Sequence, residues 1–118
     1  MSRQYCLTLA LHDDDELIKL YEKYQQAGNV WPEVITSIEE SGIENMSIFR
    51  MNAQLIMVIE VNETFSFEDK AKSDLNNTKV QEWERLMETF QKTDNVDTQK
   101  SKWQLMDKIF SLTEHKNQ

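Results

Sequence analysis

The sequence predicts an α+β fold, a ferredoxin-like sandwich in which an antiparallel sheet carries helices on one face. Three observations predict it. Apolar residues alternate with period two in some stretches and recur at helical spacing in others. The stretches follow the order strand, broken helix, strand, strand, helices, strand, which is two βαβ-type halves. A chain of 118 residues is long enough for one core and too short for two, so residues 1–118 are read as a single domain.

Each element has its own reason. "RQYCLTLAL" at 3–11 alternates, with Tyr5, Leu7, Leu9 and Leu11 on one side and Cys6, Thr8 and Ala10 on the other, which suits a strand covered at least partly on both faces. Cys6 then reads as a small buried hydrophobe, not a reactive thiol. The acidic "DDDE" supplies capping oxygens and the charge that a helix N-terminus favours. Leu17, Leu20, Tyr21 and Tyr24 follow at helical spacing, so a helix starts near Asp14. It must loosen at Gly28 and Asn29, and Pro32 suits the first turn of a second helix. There Val34, Ile35 and Ile38 recur until Ser41 and Gly42, where glycine can adopt the left-handed closing conformation.

"IENMSIFRM" and "QLIMVIEV" read as two strands of a hairpin joined at Asn52 and Ala53. The second is apolar on both faces, Leu55, Met57 and Ile59 against Ile56 and Val58, and belongs at the centre of its sheet. "SFEDKAKSDL" aligns Phe67, Ala71 and Leu75 on one helical stripe. "TKVQEWERLMETF" opens with Thr78 and Gln81 at capping-box spacing and continues through Val80, Trp83, Met87 and Phe90. The polar run 91–102 forms a loop of about a dozen residues, long enough for a lid or a partner contact. "WQLMDKIFSL" at 103–112 is read as the last strand and 113–118 as a frayed tail. Because the strands are apolar on both sides and the helices cover one, the other face needs a cover, and a symmetric partner sheet makes the protein a homodimer. The alternative is a shallow, partly solvated groove on that face.

Composition removes several functions. The net charge of −8, from 13 basic and 21 acidic residues without a basic cluster, disfavours nucleic acid and anionic membrane as partners. No apolar run approaches the roughly 20 residues that span a bilayer. One cysteine allows no internal disulfide and the N-terminus lacks a signal-peptide pattern, so cytoplasm is the expected location. His12 and His115 have no cysteine or carboxylate at ligand spacing, so no metal is expected. Two glycines make no phosphate loop, no Ser or Cys elbow is present, and no cofactor is expected.

What remains is "YEKYQQAGNVWPEV" at 21–34, which concentrates the chain's unusual residues. Tyr21 and Gln25 lie one helical turn apart on a common face, and the helix break delivers Trp31 just beyond them. Packing alone would explain Tyr21 and Tyr24 as core residues and Trp31 as a plug over the break. A hydroxyl, an amide and an indole also make a carbohydrate site, because aromatic faces pack against sugar C–H surfaces while polar groups pair with hydroxyls.

"VWPEV" after a tyrosine-bearing helix, the hairpin "SIFRMNAQLIMVIEV", "VQEWERLM" and the terminal "KWQLMDKIFSL" resemble the L-rhamnose mutarotase family, its L-fucose mutarotase-like relatives in particular, over nearly the whole chain. The resemblance implies a dimeric α/β barrel of ferredoxin-like protomers. It also implies cofactor-free interconversion of the α and β anomers of a 6-deoxy-L-sugar. The family's site tyrosine matches Tyr21, the tryptophan of its "WPE" element matches Trp31, and a later helical tryptophan matches Trp83. Three positions depart from the family pattern. Members usually place a histidine, the acid/base, one turn after the tyrosine, where this chain has Gln25. Rhamnose-type members often have a tyrosine at the position of Met46, and a Trp-Trp pair where this chain has Trp83 and Glu84. A fucose-type pocket is less affected than a rhamnose-type one.

Mutarotation needs one proton taken from the anomeric hydroxyl and one given to the ring oxygen. Glutamine exchanges no protons near neutral pH, so Tyr21 is assigned the acid/base role. Gln25 is assigned to a sugar hydroxyl, and Trp31 and Trp83 to apolar walls. Tyr24 and Glu33 are further substrate-binding candidates, and the alternatives to Tyr21 for proton transfer are Tyr24, Glu33 or His12 if the fold brings either close, and ordered water. The competing class is a non-catalytic sugar-binding or regulatory relative that lost the histidine. An oxygenase-like dimeric barrel rests on fold analogy alone.

Overall fold

The computed structural model describes residues 3–92 and 102–116. The opening alternation becomes strand β1 (Arg3–Ala10), with Leu7 and Leu9 buried on one side and Cys6, Thr8 and Ala10 half-buried on the other. Helix α1 (Asp15–Gln25) starts where the acidic run places it: the Asp14 carboxylate accepts from the backbone N–H groups of Glu16 and Leu17 at 3.0 and 3.1 Å. Its buried residues are Ile18 and Tyr21, while Leu20, expected on the apolar stripe, faces outward because the stripe is centred one residue away. The break follows. Gly28 takes φ +89°, and the Asn29 side-chain amide donates to the Lys23 carbonyl at 2.7 Å, satisfying one of the carbonyls left open at the end of α1.

Pro32 begins helix α2 (Pro32–Glu40), which buries Val34 and Ser37 and leaves Ile35 exposed. Gly42 closes it at φ +99°. Strands β2 (Ile43–Met51) and β3 (Gln54–Val61) form the expected hairpin, with Asn52 at φ +54° as the first loop residue. β3 pairs along its whole length with β1 on one side and β2 on the other, so it is central as its two-sided apolar pattern requires.

Helices α3 (Phe67–Leu75) and α4 (Thr78–Glu88) come next. Two expectations change here. Asn77, not Thr78, caps α4, its Oδ1 accepting from the Val80 N–H at 3.2 Å. α3 buries no residue, so the Phe67, Ala71, Leu75 stripe is not a core stripe; Phe67 at its start packs edge-on against Tyr5 and Phe65 at 5.1 and 4.9 Å, and polar contacts described below attach its other end. Strand β4 (Gln104–Leu105) pairs with β1, and the Met106 N–H donates to the Cys6 carbonyl at 2.8 Å. The strand expected over 103–112 therefore shrinks to two residues. Among the described residues little covers this segment beyond its first positions, and Ile109 is 96% exposed. The tail expected to fray from 113 instead starts as helix α5 (Leu112–Lys116), steadied by Phe110 stacked on His115 at 4.9 Å. Most of the loop expected over 91–102 lies outside the described residues.

The sheet order is β2-β3-β1-β4 with antiparallel pairing throughout. β3 lies between β1 and β2, and β1 lies between β3 and β4, so each βαβ half is split by a strand of the other. Residues paired across strands share a face. Leu7, Leu9, Leu55 and Ile59 consequently point to one side, where two apolar clusters form, one around Leu11, Tyr21, Trp83 and Phe90, the other around Leu7, Ile43, Val61 and Phe65. The opposite face carries Cys6, Ile56 and Val58, half-buried, with Phe49 and Met51 exposed, so Cys6 is not the buried hydrophobe expected. No helix among the described residues is long and apolar enough to cross a membrane.

Candidate functional site

The site candidates converge between α1 and α4. Tyr21 and Tyr24 are three residues apart on α1 and meet the apolar stripe of α4 and its extension, Trp83, Met87 and Phe90. The Tyr21 and Phe90 rings lie 5.9 Å apart at 66°, Tyr24 and Trp83 6.2 Å apart at 85°, and Tyr24 and Phe90 5.8 Å apart. These are edge-on or tilted geometries that aromatic quadrupoles favour. Trp31, immediately before α2, sets its ring edge-on to Trp83 at 5.2 Å and 67°. Trp83 is buried, whereas Tyr24 and Trp31 are half-buried and keep part of their rings in solvent.

Tyr21 is only 3% exposed. Burial pushes its hydroxyl up to about pKa 12, against the opposing effect of a hydrogen bond from the Gln91 side chain. Gln91 is itself buried and bridges to Leu11 in the sheet. The sequence reading missed it, because Gln91 opens a polar run read as loop. The signal lay in its spacing, four residues after Met87, which continues the buried line of α4.

Gln25, half-buried at the end of α1, directs Nε2 to the sulfur of Met87 at 3.4 Å. Glu33 stands exposed in the first turn of α2, two residues beyond Trp31. His12 brings its backbone N–H to the Phe90 carbonyl at 3.0 Å, at the end of α4 beside Gln91. The fold thus joins Tyr21, Tyr24, Trp31 and Trp83 in one cluster with Gln25 at its edge, and leaves Glu33 on the solvent side.

Glu84 was marked in the sequence only as a departure from a Trp-Trp pair. The structure makes it half-buried with a raised pKa, through burial first and then Asp74 and Glu88, with Lys102 and Lys70 opposing. Among the described residues no group of three or more His, Cys, Asp or Glu side chains is arranged to hold a metal ion. Chemically, the cluster offers aromatic faces bordered by hydroxyl and amide groups.

The family model described as L-rhamnose mutarotase matches residues 4–112, which span every element of this cluster. The chain belongs to the L-rhamnose mutarotase family. It is 38% identical over 112 residues to an L-fucose mutarotase of Xanthomonas campestris pv. campestris, covering 95% of this chain and 90% of that protein. It is 27% identical over 81 residues to an L-rhamnose mutarotase of Oceanobacillus iheyensis, covering 66% and 74%. The crystal structure of an L-rhamnose mutarotase from Formosa agariphila shares the fold, with a TM-score of 0.68 over 93% of this chain and 98% of that one at 17% identity. Membership in this mutarotase family agrees with the α+β architecture and the split βαβ order.

Proposed function

We propose that this protein interconverts the α and β anomers of a 6-deoxy-L-sugar, L-fucose or L-rhamnose, through the open-chain form. The observation that carries the reading is the packing of Tyr21, Tyr24, Trp31 and Trp83 into one aromatic cluster with Gln25 at its edge. The extent of similarity to an L-fucose mutarotase favours L-fucose. Trp31 and Trp83 pack against the C–H face and the methyl group of the sugar, Gln25 pairs with a ring hydroxyl, and Tyr24 borders the opening. A Tyr21 hydroxyl with a pKa of about 12 is a donor at neutral pH, so it supplies the proton to the ring oxygen. The anomeric proton leaves to water, and the freed aldehyde rotates and recloses, with both protons returned on closure.

The second reading is a sugar-binding relative without turnover, favoured by one observation: the amide of Gln25 where family members usually carry an imidazole. Magnetisation-transfer NMR on L-fucose and L-rhamnose, with protein varied against buffer, separates the two. Faster exchange of either sugar supports the mutarotase. Line broadening without faster exchange supports the binding relative, and neither effect removes both.

The functional unit is a homodimer in this reading, its protomers joined through the open sheet face. Support comes from Ile56, Val58, Phe49 and Met51 on that face and from Ile109 and Phe110, exposed beyond β4. Light scattering on the purified chain tests it: a mass near 28 kDa, about twice the 14.0 kDa of one chain, is expected.

A further inference from the structure

Helix α3 buries no side chain, yet it is fixed against both helices that carry the tryptophans. Asp74 near its C-terminus makes the attachment. Its Oδ1 accepts from the Ser37 hydroxyl of α2 at 3.1 Å, and its Oδ2 accepts from the Lys70 ammonium at 2.8 Å. Its backbone carbonyl accepts from the Gln81 amide of α4 at 2.8 Å. Ser37 is 9% exposed, and the Asp74 and Lys70 side chains are largely buried, so these bonds are shielded from competing water. Ser37 lies six residues after Trp31 and Gln81 two before Trp83. Trp31 is the N-cap residue of α2, joined directly to its first turn, so a shift of that helix carries the ring with it. Apolar packing leaves helices some freedom to slide, whereas directional hydrogen bonds fix their separation.

We propose that Asp74, through Ser37 and Gln81, is a positioning residue that sets the spacing of the Trp31 and Trp83 rings and thereby the affinity for sugar. It touches no substrate atom. The affinity component rests on the mutarotase reading above; the ring-spacing component does not. Asp74→Leu keeps the size of the side chain but removes the oxygens that Ser37 and Lys70 bond. Ser37→Ala removes the bond to α2, and Ser37→Thr restores a hydroxyl.

The variants are made in a Trp103→Phe background, which leaves Trp31 and Trp83 as the only tryptophans. Near-ultraviolet circular dichroism reads the ring pair, and magnetisation-transfer NMR reads KM and kcat for the sugar that the parent accepts. Ser37→Ala and Asp74→Leu are expected to change the tryptophan dichroism and raise KM about three- to tenfold, the range one lost hydrogen bond spans, with kcat within about twofold. Ser37→Thr is expected to match the parent in both. Parent-like dichroism in Ser37→Ala overturns the proposal, as does an equal fall of kcat in every variant or failure of threonine to restore the signal. If Asp74→Leu does not fold, the Ser37 pair decides alone. Should the parent accelerate no sugar, the mutarotase reading falls, and the dichroism of the same variants still decides the ring-spacing proposal.

Discussion

Gln25 of α1 reaches across to α4, its Nε2 lying 3.4 Å from the sulfur of Met87. A thioether is a weak acceptor, so little binds the amide in place and its other hydrogen-bonding positions remain available to a ligand. The resemblance to the mutarotase family implies a proton-transferring imidazole at this position.

Gln25→His is therefore expected to raise L-fucose anomer exchange at least about tenfold, since a positioned acid/base commonly contributes 10² to 10⁴. The rate should also gain a pH limb near about 6.5, the ordinary histidine value. Exchange rates measured from pH 5 to 8 check both. A variant that folds, binds L-fucose and shows no gain would move the protein into the sugar-binding class.

Tyr21→Phe removes the hydroxyl that Gln91 bonds and strands a buried amide. The cost should be about 1 to 3 kcal/mol in urea unfolding. If Tyr21 also delivers the ring-oxygen proton, exchange should fall at least about tenfold under conditions where the variant is fully folded. Lower stability with unchanged exchange would make the hydroxyl structural only.

Glu84 gives a pH dependence whose sign can be worked out. Its native pKa is raised above 4.5, chiefly by burial, so the folded state holds its proton more tightly than the unfolded chain. Stability from this group is present below the unfolded value and is lost as pH rises through the raised native value. Glu84→Gln should flatten the decline between pH 4 and neutrality. Urea midpoints at several pH values check it, and parallel curves for both proteins would contradict it. At the alkaline end Tyr21 acts with the same sign, its contribution falling between pH 10 and about 12.

Gly42→Ala should destabilise by more than about 1 kcal/mol. The backbone there has φ +99°, and an added Cβ would lie 2.5 Å from the Asn62 Oδ1. That oxygen also accepts from the Thr64 N–H and hydroxyl, at 3.1 and 2.9 Å, so it cannot withdraw without loss. Adding Asn62→Ala should recover only part of the cost, because the positive φ remains; full recovery in thermal unfolding would assign the whole effect to the clash.

The sheet was legible in the sequence because its side-chain period is two and β3 is apolar on both faces, which requires neighbours on either side. The same logic failed at residues 103–112. Apolar alternation states that a segment will be buried but does not name its partner, and beyond Met106 no strand among the described residues pairs with the chain. Helix α3 misled for the opposite reason: Phe67, Ala71 and Leu75 share a helical stripe, but Asp74 and Lys70 anchor the helix through polar bonds that periodicity does not register. In the site, Tyr21, Tyr24, Trp31 and Trp83 were found as residue types and spacings. Gln91 was not, because it opens a polar run that reads as loop, and that composition outweighed the helical spacing it continues from Met87.

Trp31 and Trp83 share one contact but differ in burial, and that difference predicts opposite consequences. Trp83 is 8% exposed and packs with Tyr24 and Trp31, so Trp83→Ala should cost about 3 to 5 kcal/mol, a large share of a typical domain's stability. Trp31 is half-buried over the helix break and has less packing to lose, so Trp31→Ala should be milder in urea unfolding. If its exposed part is a sugar wall, KM for L-fucose should rise by at least about tenfold, in keeping with the loss of roughly 1.4 kcal/mol of aromatic contact. Trp31→Phe should recover much of that loss, because a smaller aromatic face can still pack against the sugar. A Trp31→Ala variant with unchanged KM and lowered stability would instead make Trp31 a plug over the break, and the sugar would have to bind elsewhere on the protein.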